Sequence, residues 1–243
     1  MVNLRPSKKD TLLPQHMANY SVFDIAGPIM VGPSSSHTAG AVKIGQIARA
    51  LFDTTPTKVT FTLHGSFATV YKGHATDRAL LAGIMKLKTA DPQIKKAFDL
   101  AKKKGIKYEF ETGDLGMQYH PNTVKIDMQS KNNKRMSIIG SSIGGGKILI
   151  KNIDGFDVDL KGIAGKYLSI VIAHKKRTGI IAEITAAIAS LGANIVDIQS
   201  SRISDKSLTF LNLETYRPTL TEILEIEKIP GVFYVRSLTK LAR

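Results

Sequence analysis

The chain has 243 residues, 43% apolar and 22% charged, with a formal net charge of +14. This composition excludes a disordered or fibrous protein, and the length favours two domains over one. No run of about 18 apolar residues is present to span a membrane, and the polar start lacks the apolar stretch of a secretory signal, so the chain reads as cytoplasmic.

In chain order, Met1 to Tyr20 is a polar lead and Ser21 to Ala26 is short and apolar. The loop Gly32-Pro33-Ser34-Ser35-Ser36-His37-Thr38 comes next, and its hydroxyl residues are good helix caps. Ala41, Ile44, Ala48 and Leu51 recur at helical spacing behind it. Lys58 to Leu63 alternates as a strand and runs into His64-Gly65-Ser66, then into a loop through Gly73-His74. A helix is expected from Asp77 to Leu87, and a second opens at Asp91-Pro92 and closes at Gly105. Strands follow at Ile106 to Glu111, Thr123 to Gln129, Arg135 to Ile139 and Lys147 to Lys151. The first domain, 21–159, is thus mixed α/β. Gly155 to Gly165 reads as a linker, with the division at 160–166.

From Tyr167 the pattern restarts. A strand to Ala173 and a helix from Gly179 to Gly192 come first. Strands at Asn194 to Arg202 and Ser207 to Glu214 follow, then a helix from Thr219 to Lys228 and a last strand at Val232 to Leu238. The order βαββαβ over 167–243 is a ferredoxin-like arrangement. The whole chain is therefore expected to be α+β.

Several segments carry chemistry. The Gly32 to Gly40 loop sets hydroxyls, backbone N–H groups and one imidazole at a helix N-terminus, which favours a carboxylate or phosphate. His37 can exchange protons near neutral pH. His64, His74 and His120 each stand beside Gly or Pro, where loops carry function. The sequence lacks a Gly-x-Ser-x-Gly elbow, a Walker loop and a His-Glu-x-x-His zinc motif. It also contains no cysteine, so it cannot hold an iron-sulfur cluster by thiolates, and no metal site is expected in this chain. The excess positive charge points to an acidic partner or to a lysine-rich solvated face.

Gly32 to Gly40 resembles the signature of iron-sulfur L-serine dehydratases. Leu63 to Ala68, Lys72 to Leu80, His120 to Thr123 and Ser142 to Gly146 resemble further blocks of that family, in its order. The first domain also looks like the allosteric substrate-binding domain of some phosphoglycerate dehydrogenases, and the second is similar to ACT domains, which bind amino acids. The resemblance implies the beta subunit of an L-serine ammonia-lyase that forms pyruvate and ammonia and is inactive by itself. A partner alpha subunit would hold a 4Fe-4S cluster, whose open iron activates the leaving hydroxide, and a monovalent cation is a further candidate cofactor. Ser34, Ser35, Ser36 and Thr38, with Ser66 and Asn122, are then candidates for binding L-serine. His37, His64 and His120 are candidates for acid-base or orienting work.

In the ACT-like domain, His174, Arg177, Thr178 and Gly179 precede a helix, and Asn194 is expected to open the next strand beside them. These five are the candidate effector site, at a beta-beta contact through this domain. Two rivals stand beside the enzyme reading. One is a non-catalytic amino-acid sensor. The other is a nucleic-acid binder, motivated by charge alone and disfavoured by the absence of an aromatic-plus-basic signature.

Overall fold

The computed structural model describes residues 29–161, 168–214 and 219–238. The polar lead, the Ser21 to Ala26 stretch and most of the 160–166 linker lie outside the described residues. Among the described residues, no helix is long and apolar enough to cross a membrane.

The first long helix, α1 (Ala41–Phe52), buries Ile44, Ile47, Ala48 and Leu51 completely. Their spacing puts them on one face, and burying each of the three larger side chains contributes roughly 1.5–3 kcal/mol. The helix continues directly from a π-turn, Ser35–Gly40, and ends at Asp53 in the left-handed region, φ 64°. Next comes β1 (Lys58–His64), with Val59, Phe61 and Leu63 facing the core. The segment read as a loop after His64 instead contains a helix, α2 (Gly65–Val70). Its signal was weak because it is six residues long, opens on Gly and has no side-chain cap.

Helix α3 (Thr76–Ile84) crosses α1 where Gly45 meets Gly83. A Cβ on Gly45 would meet the Leu80 carbonyl, and one on Gly83 the Val42 carbonyl, so the two backbones touch. A 3-10 turn (Pro92–Lys96), capped by the Asp91 carboxylate, leads into α4 (Ala97–Lys103).

Strands β2 (Lys107–Thr112), β3 (Thr123–Gln129), β4 (Arg135–Gly144), β5 (Lys147–Ile153) and β6 (Phe156–Lys161) complete a six-stranded sheet of order β2-β1-β3-β4-β5-β6. The β1–β2 pair is parallel and the other pairs are antiparallel. Strand β6 corrects the linker reading, since Phe156 to Lys161 is the sheet's edge strand. The Asp154-Gly155 step, both residues at positive φ, turns β5 into it. Such a dipeptide is a hairpin signal in its own right.

The C-terminal unit comprises β7 (Leu168–Lys175), α5 (Ile180–Ser190), β8 (Asn194–Ile203), β9 (Lys206–Glu214), α6 (Leu220–Glu227) and β10 (Val232–Leu238). Its antiparallel sheet has the order β10-β7-β9-β8, which is the ferredoxin-like βαββαβ topology expected for this segment. Thr219 and Glu222 form a capping box at the start of α6. One set of sheet residues, including Ile170, Ile172, Leu211 and Leu213, packs with Ile180, Ile184 and Ile188 of α5. The alternate set, Val171, Ala173, Leu208 and Phe210, joins the core of the first unit. The chain is α+β, with two sheets and a continuous apolar layer between its units.

Candidate active site

The Ser34 to Gly40 segment shows why a hydroxyl-rich sequence forms this turn. Ser34 has extended backbone, and its Oγ accepts the His37 N–H at 3.1 Å, while the Thr38 N–H donates to the Ser34 carbonyl at 2.9 Å. The π-turn adds one residue to the helical register, a device common at functional sites. It thereby presents Ser34, Ser36 and His37 on one side. Ser34 Oγ and Ser36 Oγ are 3.3 Å apart, and His37 Nδ1 lies 3.4 Å from the first and 3.3 Å from the second.

The other ring nitrogen reaches a different segment: His37 Nε2 is 3.0 Å from Ser66 Oγ at the start of α2. The ring also meets Phe67 edge-on at 5.4 Å between centroids and lies 4.8 Å from the His74 ring. Burial holds the imidazole below its ordinary value of 6.5, and the nearby His74 charge lowers it further. His37 is therefore neutral at pH 7, with one nitrogen able to accept a proton.

The other candidates gather at the same end of the sheet. His64 ends β1 opposite Thr123 of β3. Its Nδ1 accepts the Leu115 N–H at 3.1 Å and lies 3.4 Å from Asp114. The Phe67 N–H donates to the Pro121 carbonyl at 3.3 Å, which ties α2 to the His120-Pro121-Asn122 loop. Gly65, at φ 55°, packs against Pro121 so closely that a Cβ there would sit 2.7 Å from its backbone. His120 itself is exposed, and its Nδ1 accepts the Asn122 N–H at 3.0 Å. The Asn122 carbonyl accepts the Ser142 N–H at 2.9 Å.

Two expectations change. Thr38, read as a carboxylate ligand, is fully buried and donates its hydroxyl to the His74 carbonyl at 3.0 Å, so it holds the turn in place. His74, which the sequence places in a loop, stands against His37. Its position depends on the unforeseen α2, which folds His74 back over the turn. Ser142 was also missed. It is buried beneath Gly40, its hydroxyl has no hydrogen-bond partner, and a Cβ on Gly40 would collide with it.

A concavity of about 430 Å3, lined by Lys58, Thr60, Asp127, Gln129, Arg135 and Asp154 among others, lies at the opposite end of β1. It shares no residue with the His37 cluster.

The effector candidates separate. His174 is buried, with Nε2 2.8 Å from Thr209 Oγ1 and Nδ1 3.0 Å from the Lys175 carbonyl. Arg177 is paired with both oxygens of Glu183, at 2.8 and 2.7 Å, and donates to the Pro230 carbonyl at 3.1 Å. Thr178 and Gly179 are exposed just ahead of α5. Asn194 is not beside them. The strand register pairs it with Glu214, at the Leu168 end of the sheet, while Gly179 follows Lys175 at the other end. Because α5 runs the length of the sheet between the two positions, spacing in sequence misled the reading.

An iron-sulfur cluster does not fit this chain. The sequence has no cysteine, and no group of three His, Cys, Asp or Glu among the described residues is arranged to hold a metal.

A model of the serine dehydratase beta chain family matches residues 21–152. The chain is 41% identical over 224 residues to the L-serine dehydratase beta chain of Peptoniphilus asaccharolyticus, covering 90% of this chain and 99% of that one. It is 39% identical over 223 residues to the probable L-serine dehydratase beta chain of Bacillus subtilis (strain 168), covering 91% and 98%. Among solved structures, the ACT domain from the GTP pyrophosphokinase of Chlorobium tepidum aligns with 29% of this chain and 95% of its own, at 23% identity and a TM-score of 0.26. The matched region contains the π-turn, α2 and the His120 loop, and the agreement with both beta chains runs nearly end to end; this chain belongs to the serine dehydratase beta chain family.

Proposed function

We propose that the chain is the substrate-orienting subunit of an L-serine dehydratase, and that an alpha subunit completes the site with its iron-sulfur cluster. The observation that carries this is the bond between His37 Nε2 and Ser66 Oγ, which joins the serine turn to the start of α2. L-serine must lose its Cα proton and its hydroxyl. The Ser34, Ser35 and Ser36 hydroxyls and the N–H groups of the turn bind the substrate carboxylate. Fixing that group sets the angle of the Cα–H bond, and orientation of this kind governs the rate of such a step. His37, neutral and steered by Ser66, takes or relays the proton, with His74 beside it. His64 and the His120–Asn122 loop shape the rim.

The test is anaerobic co-purification with the alpha chain, followed by a pyruvate assay with L-serine. Pyruvate formation that needs both chains supports the reading. Equal turnover by the alpha chain alone sinks it.

The C-terminal unit is read as an amino-acid sensor. Arg177, Thr178 and Gly179 form one effector turn, with buried His174 leading into it at the end of β7. Asn194 reaches such a turn from a second chain, through a beta-beta contact of this unit. Calorimetry with L-serine and other amino acids tests this, and silence from all of them leaves the unit as a dimerisation module.

A further inference from the structure

We propose that α1 mechanically couples the C-terminal unit to the serine turn, with Arg236 and Asp53 as positioning residues at its far end. The inference deepens the proposed function, because it rests on reading the Ser34 to Thr38 turn as the substrate's carboxylate site.

The two ends of α1 meet different partners. Its N-terminal end is continuous with the π-turn that carries Ser34, Ser36 and His37. Its C-terminal end is held from β10, where Arg236 Nε lies 3.6 Å from the Asp53 carboxylate. Arg236 is itself fixed within the C-terminal unit: Nη1 donates to Glu227 at 2.9 Å, and the guanidinium stands over the Tyr234 ring at 5.0 Å. Glu227 also accepts the Val235 N–H at 2.7 Å, so one carboxylate ties α6, β10 and the guanidinium together. Any shift of α6 against β10 thus reaches Asp53.

The seam holds further buried polar groups. Arg49 Nη1 on α1 and Arg236 Nε are both buried without a hydrogen-bond partner. From the first unit, Lys134 donates to the Phe52 carbonyl at 2.6 Å, so this end of α1 is anchored from both units.

The test uses Asp53→Asn. Asn tolerates the left-handed backbone at this position, so charge is removed without strain. Hydrogen exchange on the full chain should show the His37 and Thr38 amides exchanging roughly two- to fivefold faster, the size expected from a partly exposed ion pair, with β9 unchanged. Arg236→Gln should do the same or more, provided its thermal unfolding shows that the C-terminal unit remains folded. Faster exchange confined to 49–53 and 232–238 overturns the coupling. In the assembled enzyme, KM for L-serine should rise while kcat moves less. Faster exchange at the turn with an unchanged KM upholds the coupling and instead removes the carboxylate-site reading.

Discussion

Two turns in this chain precede helices and look alike on paper, yet they are built differently. The first, before α1, is enclosed by other segments: Ser66 and Phe67 of α2 and the ring of His74 all meet His37. Its groups are neutral hydroxyls, imidazole and backbone N–H. The second, before α5, is exposed, and its guanidinium at Arg177 already binds the Glu183 carboxylate through two bonds. A helix N-terminus offers the same partial charge in both places. A reactive site needs, in addition, groups from distant parts of the chain.

The largest expected effect breaks the first turn. His37→Ala in the assembled enzyme should lower kcat/KM by about 10^2–10^4, the range for loss of a general acid or base, with the unfolding temperature little changed. Ser66→Ala should cost less, and the double variant should be no worse than His37→Ala, because Ser66 acts through the imidazole. A pyruvate assay on the three variants checks both points, and additive losses would separate the two residues.

Next is Gly40→Ala, whose methyl group would collide with Ser142. Overpacking of this kind costs about 1–3 kcal/mol. Thermal unfolding should show the loss, and adding Ser142→Gly should restore most of it. Full stability in Gly40→Ala would mean that the turn tolerates displacement.

A smaller effect concerns protons. Because His37 is held below 6.5, its neutral form is the one the fold accommodates. Its contribution to stability is present above about 6.5 and is lost as pH falls through the lowered value. A proton NMR titration should place the His37 ring below 6.5, and His74→Gln should move it part of the way back, since burial is the larger cause. The smallest effect belongs to the second turn. Glu183→Gln removes the charged partner of Arg177 and should leave thermal unfolding unchanged, while any amino-acid binding seen by calorimetry strengthens.

The ferredoxin-like unit was legible because periodicity, the Thr219 cap and the Gly192 and Pro230-Gly231 turns all agree. The serine turn was legible as a helix N-terminus, with Ser34 as its cap. Less visible was what depends on weak local signals and distant contacts. Strand β6 is hidden because Gly155, the glycine of its hairpin, is equally a linker signal. Helix α2 was hidden by its shortness, and with it the place of His74. Sequence also gives no warning that Thr38 turns inward or that Asn194 stands at the far end of its sheet.

The contact of Gly45 with Gly83 has a mechanical consequence. It lies between the serine turn at one end of α1 and Asp53 at the other, roughly 8 and 12 Å away at 1.5 Å per residue. With no side chain between the two backbones, the helix cannot slide sideways there, but it can tilt. Under the proposed coupling this crossing is the pivot, with arms of comparable length to the serine hydroxyls and to Asp53.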